Sequence, residues 1–300
     1  MRVFVTGASG HIASAVIPEL ISAGHHVVGL TRSDEAAAAV TGLGASASRG
    51  DLDDLDGLRQ AAAESDGVIH LALFDRRQMR SGATRDAGAD QQAVMGAFGD
   101  ALAGTGKPLV TASARGALGP LGRPATEEDQ ASPDGPTTAE IAATDLAQRG
   151  VRSSVVRLPL ITHSTLDTHG FARILIGTAQ KTGIAGYAGD GTNRWPAVHT
   201  LDAGHLYRLA LENAEPGTRW HAVGEEGIPL RDIAQAIAGH LGVPAASIPD
   251  GQLQEHFGFL AALIGLDLPA SSHITRQRLG WEPTHPGLLA DFDQGYYFDS

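Results

Sequence analysis

The sequence predicts a doubly wound α/β fold, a parallel sheet wrapped on both faces by helices, with a smaller C-terminal cap lobe. Three observations predict it. An apolar strand runs through a glycine turn into a helix at the very start. Short apolar runs then alternate with longer Ala-rich stretches for about half the chain, and beyond residue 160 this alternation loosens into Gly-rich turns such as "GYAGDGTNRWP".

Taken in order, the runs at 3–6, 26–30, 45–48, 67–71, 108–113 and 152–158 read as strands. The stretches at 11–23, 35–43, 55–63, 87–103 and 136–149 are each long enough for a crossover helix. Strand, helix, strand repeated in this way builds a parallel sheet with helices on both faces. Most of the runs are apolar throughout, as strands buried on both faces should be; the run at 45–48 is the weak one. Further helices are expected at 202–213 and 230–241. The dinucleotide-sized core is expected over 1–160 with 195–215 returning to it, and the cap over 161–194 and 216–300.

Composition narrows the function. The 300 residues are 42% hydrophobic, enough for one large core and a smaller lobe. A formal charge of −12 and a pI near 5.4 exclude a surface built for nucleic acid or an anionic membrane, which Lys and Arg would dominate. A small-molecule partner is expected, on a monomer or homodimer. The chain has no cysteine, so disulfides, thiolate metal sites and a Cys nucleophile are ruled out. Its 13 histidines show no metal-ligand spacing, and no metal is expected. Met1 leads straight into the first strand and no run reaches the ~18 apolar residues of a membrane span, which makes the cytoplasm the expected address.

The opening turn carries the chemistry. In "TGASGHIA", Gly7, Gly10 and Ala13 stand at spacing G-x-x-G-x-x-A. The first glycine permits the turn, the second lets a pyrophosphate approach the backbone, and the small third residue packs helix on strand. Glycine spacing alone serves many tight turns, but its place between a strand and a helix at the head of a βαβ unit points to a dinucleotide. The turn residues Gly7, Ser9, Gly10, His11 and Ile12 are therefore the expected phosphate cradle. The second strand ends "VVGLTRSDE". NAD sites hold the ribose 2′-OH with an Asp or Glu about 20 residues past the glycines, whereas a nearby Arg accommodates the 2′-phosphate of NADP. Thr31 and Arg32 stand there, so NADP is favoured over NAD.

The motifs "VTGASGHIA", "RGDLDD", "GVIHLAL" and "VRSSVVRLP", with "WPAVHTLDAGHLYRLALE" further on, resemble the extended short-chain dehydrogenase/reductase superfamily of sugar epimerases, dehydratases and hydroxysteroid dehydrogenases. The resemblance implies a Rossmann-type core in which Asp51 and Leu52 touch the adenine, Leu71, Ala72 and Leu73 pass beneath the cofactor, and Pro159 borders the nicotinamide. It also implies an active-site Tyr-x-x-x-Lys, and here the chain departs from the pattern. The two lysines, Lys107 and Lys181, follow Ala103 and Gly177 at that spacing, and the four tyrosines, Tyr187, Tyr207, Tyr296 and Tyr297, all fall in the later part of the chain. The helix that should carry the pair holds only Glu140 and Asp145 as ionisable residues before Arg149. The resemblance points to Ala114 where a catalytic Ser or Thr usually stands, with Ser113 beside it.

Replacement groups can be named. His163 lies where the family often has a Tyr, and imidazole titrates in the range of a general acid; a solvent-exposed loop histidine is the alternative. Arg194 and Trp195 fall on the cap strand that grips substrate in the epimerases, although Trp195 suits a core position equally well. Arg76, Arg77, Arg80 and Arg85, interleaved with Asp75 and Asp86, read as a solvated, salt-bridged loop. Three functions fit these residues: an NADP-dependent oxidoreductase acting on a small carbonyl or enone, a non-catalytic NADP(H)-sensing regulator similar to the NmrA-like proteins, or a non-redox enzyme that retains the cofactor.

Overall fold

In the computed structural model, residues 1–72, 87–114, 118–131 and 138–299 are described. A seven-stranded sheet forms from β1 (Arg2–Thr6), β2 (His26–Thr31), β3 (Ser46–Arg49), β4 (Gly67–His70), β5 (Pro108–Ala114), β6 (Arg152–Leu158) and β10 (Thr218–His221). Its order is β10-β6-β5-β4-β1-β2-β3, and every pairing in it is parallel. The order reverses between β1 and β4, which is where such sheets open a crevice at their carboxyl ends. The weak run at 45–48 does form a strand, displaced by one residue.

The helices follow the expected stretches: α1 (Ala13–Ser22), α2 (Asp34–Gly42), α3 (Leu55–Ala63), α4 (Ala87–Leu102) and α5 (Thr138–Gln148). Strand alternation distributes their packing. Val3 and Val5 join Val16, Ile17 and Leu20 of α1 in one core, while Phe4 between them joins Leu58 of α3 and Phe98 of α4 in another on the opposite face. The helix α7 (Thr200–Glu212) completes the first layer through Leu206 and Ala210. It approaches α1 so closely that a Cβ at Gly204 would lie 3.0 Å from the Ala15 backbone, so a side chain there would have to push the two helices apart by a few tenths of an ångström.

The cap is built from β7 (Ile161–His163), α6 (Phe171–Thr182), β8 (Ala185–Ala188), β9 (Arg194–His199), β11 (Glu225–Pro229), α8 (Leu230–Leu241) and β12 (Ala245–Ile248). A three-stranded sheet, β11-β9-β7, and the pair β12-β8 enclose their own core around Trp195, Ile176, Ile233, Leu260 and Phe292. Two boundaries differ from the sequence expectation. Residues 194–199 pair with β7 and β11 of the cap, while Val198 already packs in the first core. Residues 218–221, expected in the cap, form the edge strand of the main sheet because Trp220 is completely buried in the first core.

A buried charge cluster fastens this end of the sheet. Arg157 of β6 is fully buried and pairs with Glu140 of α5, donating through Nε at 3.1 Å and through Nη2. Arg219 of β10 donates to the same carboxylate at 3.1 Å and Ser113 of β5 at 3.0 Å. Arg157 also donates to the Asp129 carbonyl at 2.6 Å and to His221 Nε2 at 3.2 Å. Removing one partner of such a pair strands a buried charge. Glu140→Ala is therefore expected to lower unfolding free energy by about 3–5 kcal/mol, read as a fall in the urea midpoint; an unchanged midpoint would show the cluster to be energetically idle.

Candidate dinucleotide site

The β1–α1 turn sits at the sheet's switch point. Gly7 has φ +67°, and a Cβ there would lie 2.9 Å from the Leu71 carbonyl carbon and the Ala72 nitrogen, so the turn rests directly on the chain leaving β4. The Gly10 amide closes the turn onto the Gly7 carbonyl at 2.9 Å. Around Gly10 a Cβ would meet only that carbonyl oxygen, at 3.0 Å. The exposed Ser9 and Gly10 thus border a cradle that a side chain would fill. The helix begins at Ala13, two residues later than expected, and no side chain caps it; Ser33 and Asp54 do cap α2 and α3. The Ser14, Ala15 and Val16 amides are bonded to carbonyls of residues 10–12, and with no side-chain cap the positive end of the helix dipole faces the turn, which suits a pyrophosphate. The ring of His11 is bonded to the Thr200 hydroxyl at 2.9 Å and ties the turn to α7.

Beneath the turn lies a buried polar chain that sequence reasoning missed. The Thr6 hydroxyl meets His70 Nδ1 at 2.6 Å, His70 Nε2 meets Gln91 Oε1 at 2.9 Å, and Gln91 Nε2 donates to the Ala72 carbonyl at 2.8 Å. Burial lowers the His70 pKa to about 4, so its ring is neutral at pH 7. One tautomer then satisfies the chain: Nε2–H donates to Gln91, and Nδ1 accepts from Thr6. The network holds the Leu71–Ala72 backbone against Gly7. Its only trace in the sequence is a histidine inside the apolar run "GVIHLAL".

The remaining expected cofactor residues lie along the same edge. Arg32 follows β2 and is exposed, and the Thr31 hydroxyl is turned to the Ser48 carbonyl at 3.2 Å. Asp51 is half-buried and accepts from the Asp53 amide at 3.2 Å; Leu52 packs on the second core layer. Pro159 is buried immediately after β6. Leu73 and the Arg76, Arg77, Arg80 and Arg85 segment lie outside the described residues.

The structure does not bring the expected catalytic and substrate residues together. Alternation along β5 sends Val110 and Ala112 to the α1 face, so Ser113 faces α5 and its hydroxyl is taken by Glu140. His163 is completely buried and not a loop residue; its Nδ1 is 2.7 Å from Asp291, and its Nε2 has no partner among the described residues. Trp195 is completely buried in the cap core. Arg194 is clasped by Asp267, with Nε at 3.1 Å and Nη2 at 2.9 Å, which fastens the 264–268 segment to β9. Trp195 thus builds the cap core, while the Arg194 side chain stays partly exposed.

A histidine cluster joins cap and core. The rings of His163 and His199 meet edge to face at 5.5 Å, and His199 stacks on His285 at 4.6 Å with planes 7° apart. Asp202 accepts from His285 Nδ1 at 2.7 Å and from the Thr284 and His285 amides at 3.0 and 3.2 Å. Ligand atoms of His199, Asp202 and His285 lie within 4.8 Å of one another. Sequence spacing gave no sign of this trio, since 83 residues separate Asp202 from His285. Among the described residues no helix is long and apolar enough to cross a membrane.

With this geometry in view, comparison with known proteins identifies the class. The model of the NAD-dependent epimerase/dehydratase family matches residues 3–223, from β1 to just past β10, and the chain belongs to that family. The uncharacterized protein YLL056C of Saccharomyces cerevisiae is 44% identical over 302 residues, covering 99% of each chain. A 2′-dehydrokanamycin reductase of Streptomyces kanamyceticus is 27% identical, covering 81% of this chain and 68% of that one. The solved structure of a DesIV double mutant, a dTDP-glucose 4,6-dehydratase from Streptomyces venezuelae with NAD bound, superposes with a TM-score of 0.76 at 19% identity over 100% of this chain and 98% of that one. The last likeness shows the fold.

Two histidines make stability depend on pH. Burial, with the His163 and His285 imidazoles beside it, lowers the His199 pKa to about 4, as burial does for His70. An unfolded histidine titrates near 6.5. Between those values the unfolded chain takes up protons that the folded one refuses, so the stabilisation is complete above about pH 6.5 and is lost as pH falls toward 4. The thermal midpoint should drop across that window, by roughly 2–4 °C for each kcal/mol lost. His199→Phe, which keeps a ring against His285, should make the drop shallower; an identical pH profile would remove His199 from the account.

Proposed function

We propose that the protein is an NADP(H)-dependent oxidoreductase acting on a small carbonyl or enone substrate, without the family's Tyr/Lys pair. The observation that carries this reading is the uncapped glycine turn at the sheet's switch point, with Arg32 at the end of β2 and no acidic residue in its place. The reductase among the relatives supports the redox assignment. In this reading Gly7, Ser9, Gly10 and Ile12 hold the pyrophosphate and Arg32 the 2′-phosphate. Asp51 and Leu52 border the adenine, Leu71 and Ala72 lie under the dinucleotide, and Pro159 limits the nicotinamide end. The bound cofactor supplies a hydride. The chain's own task is to hold the substrate against that cofactor and to keep the developing oxyanion in a preorganised polar environment.

The proton comes from water. Tyr207 is fully buried, and burial holds its phenol well above the usual range, as it does for Tyr296 and Tyr297. Ser113 and His163 are each bonded to a buried carboxylate. Proton transfer from a positioned side chain contributes roughly 10²–10⁴-fold, so an enzyme without it favours substrates whose developing anion is already stabilised, as in conjugated carbonyls. The same commitment of Ser113 and His163 favours the second reading, a dinucleotide sensor without turnover. Single-turnover consumption of NADPH with a carbonyl and enone set separates the two.

Two outcomes test the proposal. Calorimetry should detect NADPH binding, and Gly10→Val should abolish it by filling the cradle; silence from the parent protein at millimolar cofactor would end the reading. Tyr→Phe changes at 187, 207, 296 and 297 should each leave single-turnover hydride transfer close to the parent rate. A loss of about a hundredfold in one variant that still folds and binds cofactor would identify a tyrosine acid instead.

A further inference from the structure

We infer that Arg49, at the end of β3, is a second guanidinium for the cofactor's 2′-phosphate and completes with Arg32 a two-arginine clamp across the ends of β2 and β3. The inference rests on the NADP reading above and adds a specificity residue that the glycine and Arg32 motifs do not contain.

The clamp follows from strand register. β2 and β3 are parallel neighbours in which Thr31 pairs with Arg49, so the last residue of β3 stands beside the last residue of β2. Arg32 is the next residue along. Parallel neighbours lie about 4.8 Å apart, which brings the two backbones to one corner of the sheet's carboxyl edge; Arg49 shares the face of Thr31, and Arg32 stands just past the end of β2, where the chain bends away from the strand. In sequence they are 17 residues apart, and Arg49 closes a polar run, "SASR", that carries no motif. Both arginines are solvent-exposed, so neither guanidinium is needed for the core: the Arg49 side chain keeps 55% of its surface.

Arg49 is also only lightly held. The ion pair it makes among the described residues is Nη2 to Asp34 Oδ1 at 3.4 Å, with an Asp34 side chain that is 100% exposed. An exposed pair of this kind is weak, and one long contact leaves the guanidinium fork able to turn to a better acceptor. A phosphate monoester carries more charge and more acceptor oxygens than a carboxylate, and it takes parallel hydrogen bonds from an arginine. Asp34 is then the competitor: it occupies Arg49 while the corner is empty and opposes the phosphate when it arrives. Phosphate recognition thus has a residue on each side, Arg49 for it and Asp34 against it, and a merely structural salt bridge would not behave in that way.

The test uses the intact chain and two fragments that differ only in the group at issue, 2′,5′-ADP and 5′-AMP, with calorimetric binding as the readout and thermal midpoints to confirm folding. The parent should prefer 2′,5′-ADP. Arg49→Ala should weaken 2′,5′-ADP about tenfold or more while leaving 5′-AMP nearly unchanged, Arg49→Lys should weaken it less, and Asp34→Asn should strengthen it. If the parent shows no preference for 2′,5′-ADP, the NADP reading itself fails and the clamp with it. If the preference is present, is lost in Arg32→Ala and survives Arg49→Ala and Asp34→Asn unaltered, the NADP reading stands and the second guanidinium is wrong. Equal weakening of both fragments by Arg49→Ala would likewise overturn it, because the residue would then be shaping the strand end and not reading the phosphate.

Discussion

A guanidinium with no exposed surface has to find all its partners inside the protein, and Arg157 sets the geometry of half the molecule by doing so. Burying such a charge is costly unless it is paired and hydrogen-bonded. Its partners come from α5 through Glu140, from β10 through His221, and from the connection after β5 through the Asp129 carbonyl. Helix α5 is therefore pinned to β6 by charge as well as by apolar packing. Ser113 is drawn into the same cluster. A hydroxyl that donates to a buried carboxylate is part of a scaffold, so Ser113 braces β5 against α5.

Much of the scaffold was legible because it depends on periodicity. Six strand runs and the helices between them appear where apolar spacing puts them, since strands covered on both faces need continuous apolar residues. The glycine turn was legible for a local reason, a positive φ and a close approach at Gly7. What escaped was whatever long-range pairing decides. The strand at 218–221 has one large apolar residue, Trp220, and becomes a strand only because β6 offers an open edge. His163 reads from sequence as a general-acid candidate or an exposed loop histidine, but its partner Asp291 arrives from 128 residues away and both are buried. Ser113 shows a further limit: its residue type was plain, while the face of β5 it occupies depended on a register that only the fold supplies.

The cap is tied to the core by charge and rings as much as by apolar contact. Asp202, at the start of α7, gathers the amides of Thr284 and His285 and the His285 ring, while its own carbonyl accepts from Trp281 at 3.0 Å. His199 and His163 extend this junction into the cap core. On the other side of α7 the Thr200 hydroxyl meets His11 of the glycine turn and donates to the His163 carbonyl at 3.0 Å. One helix end thus joins the candidate cofactor turn to the buried histidines, so a displacement of either reaches the other through a single turn of backbone.

The overall charge poses a problem for the proposed reading, which the corner at β2 and β3 would resolve. A chain of net charge −12 repels a polyanionic dinucleotide at long range. At physiological ionic strength that repulsion fades beyond about 8 Å, whereas contacts at hydrogen-bonding distance are screened far less. In the proposed reading, recognition of the cofactor depends on local cationic features and not on the average field: the helix dipole at the start of α1 for the pyrophosphate, and arginines at the strand ends for the 2′-phosphate. Adding salt should therefore weaken the global repulsion more than the local attraction. In the proposed reading, discrimination between the two dinucleotides is left to geometry at one corner of the sheet.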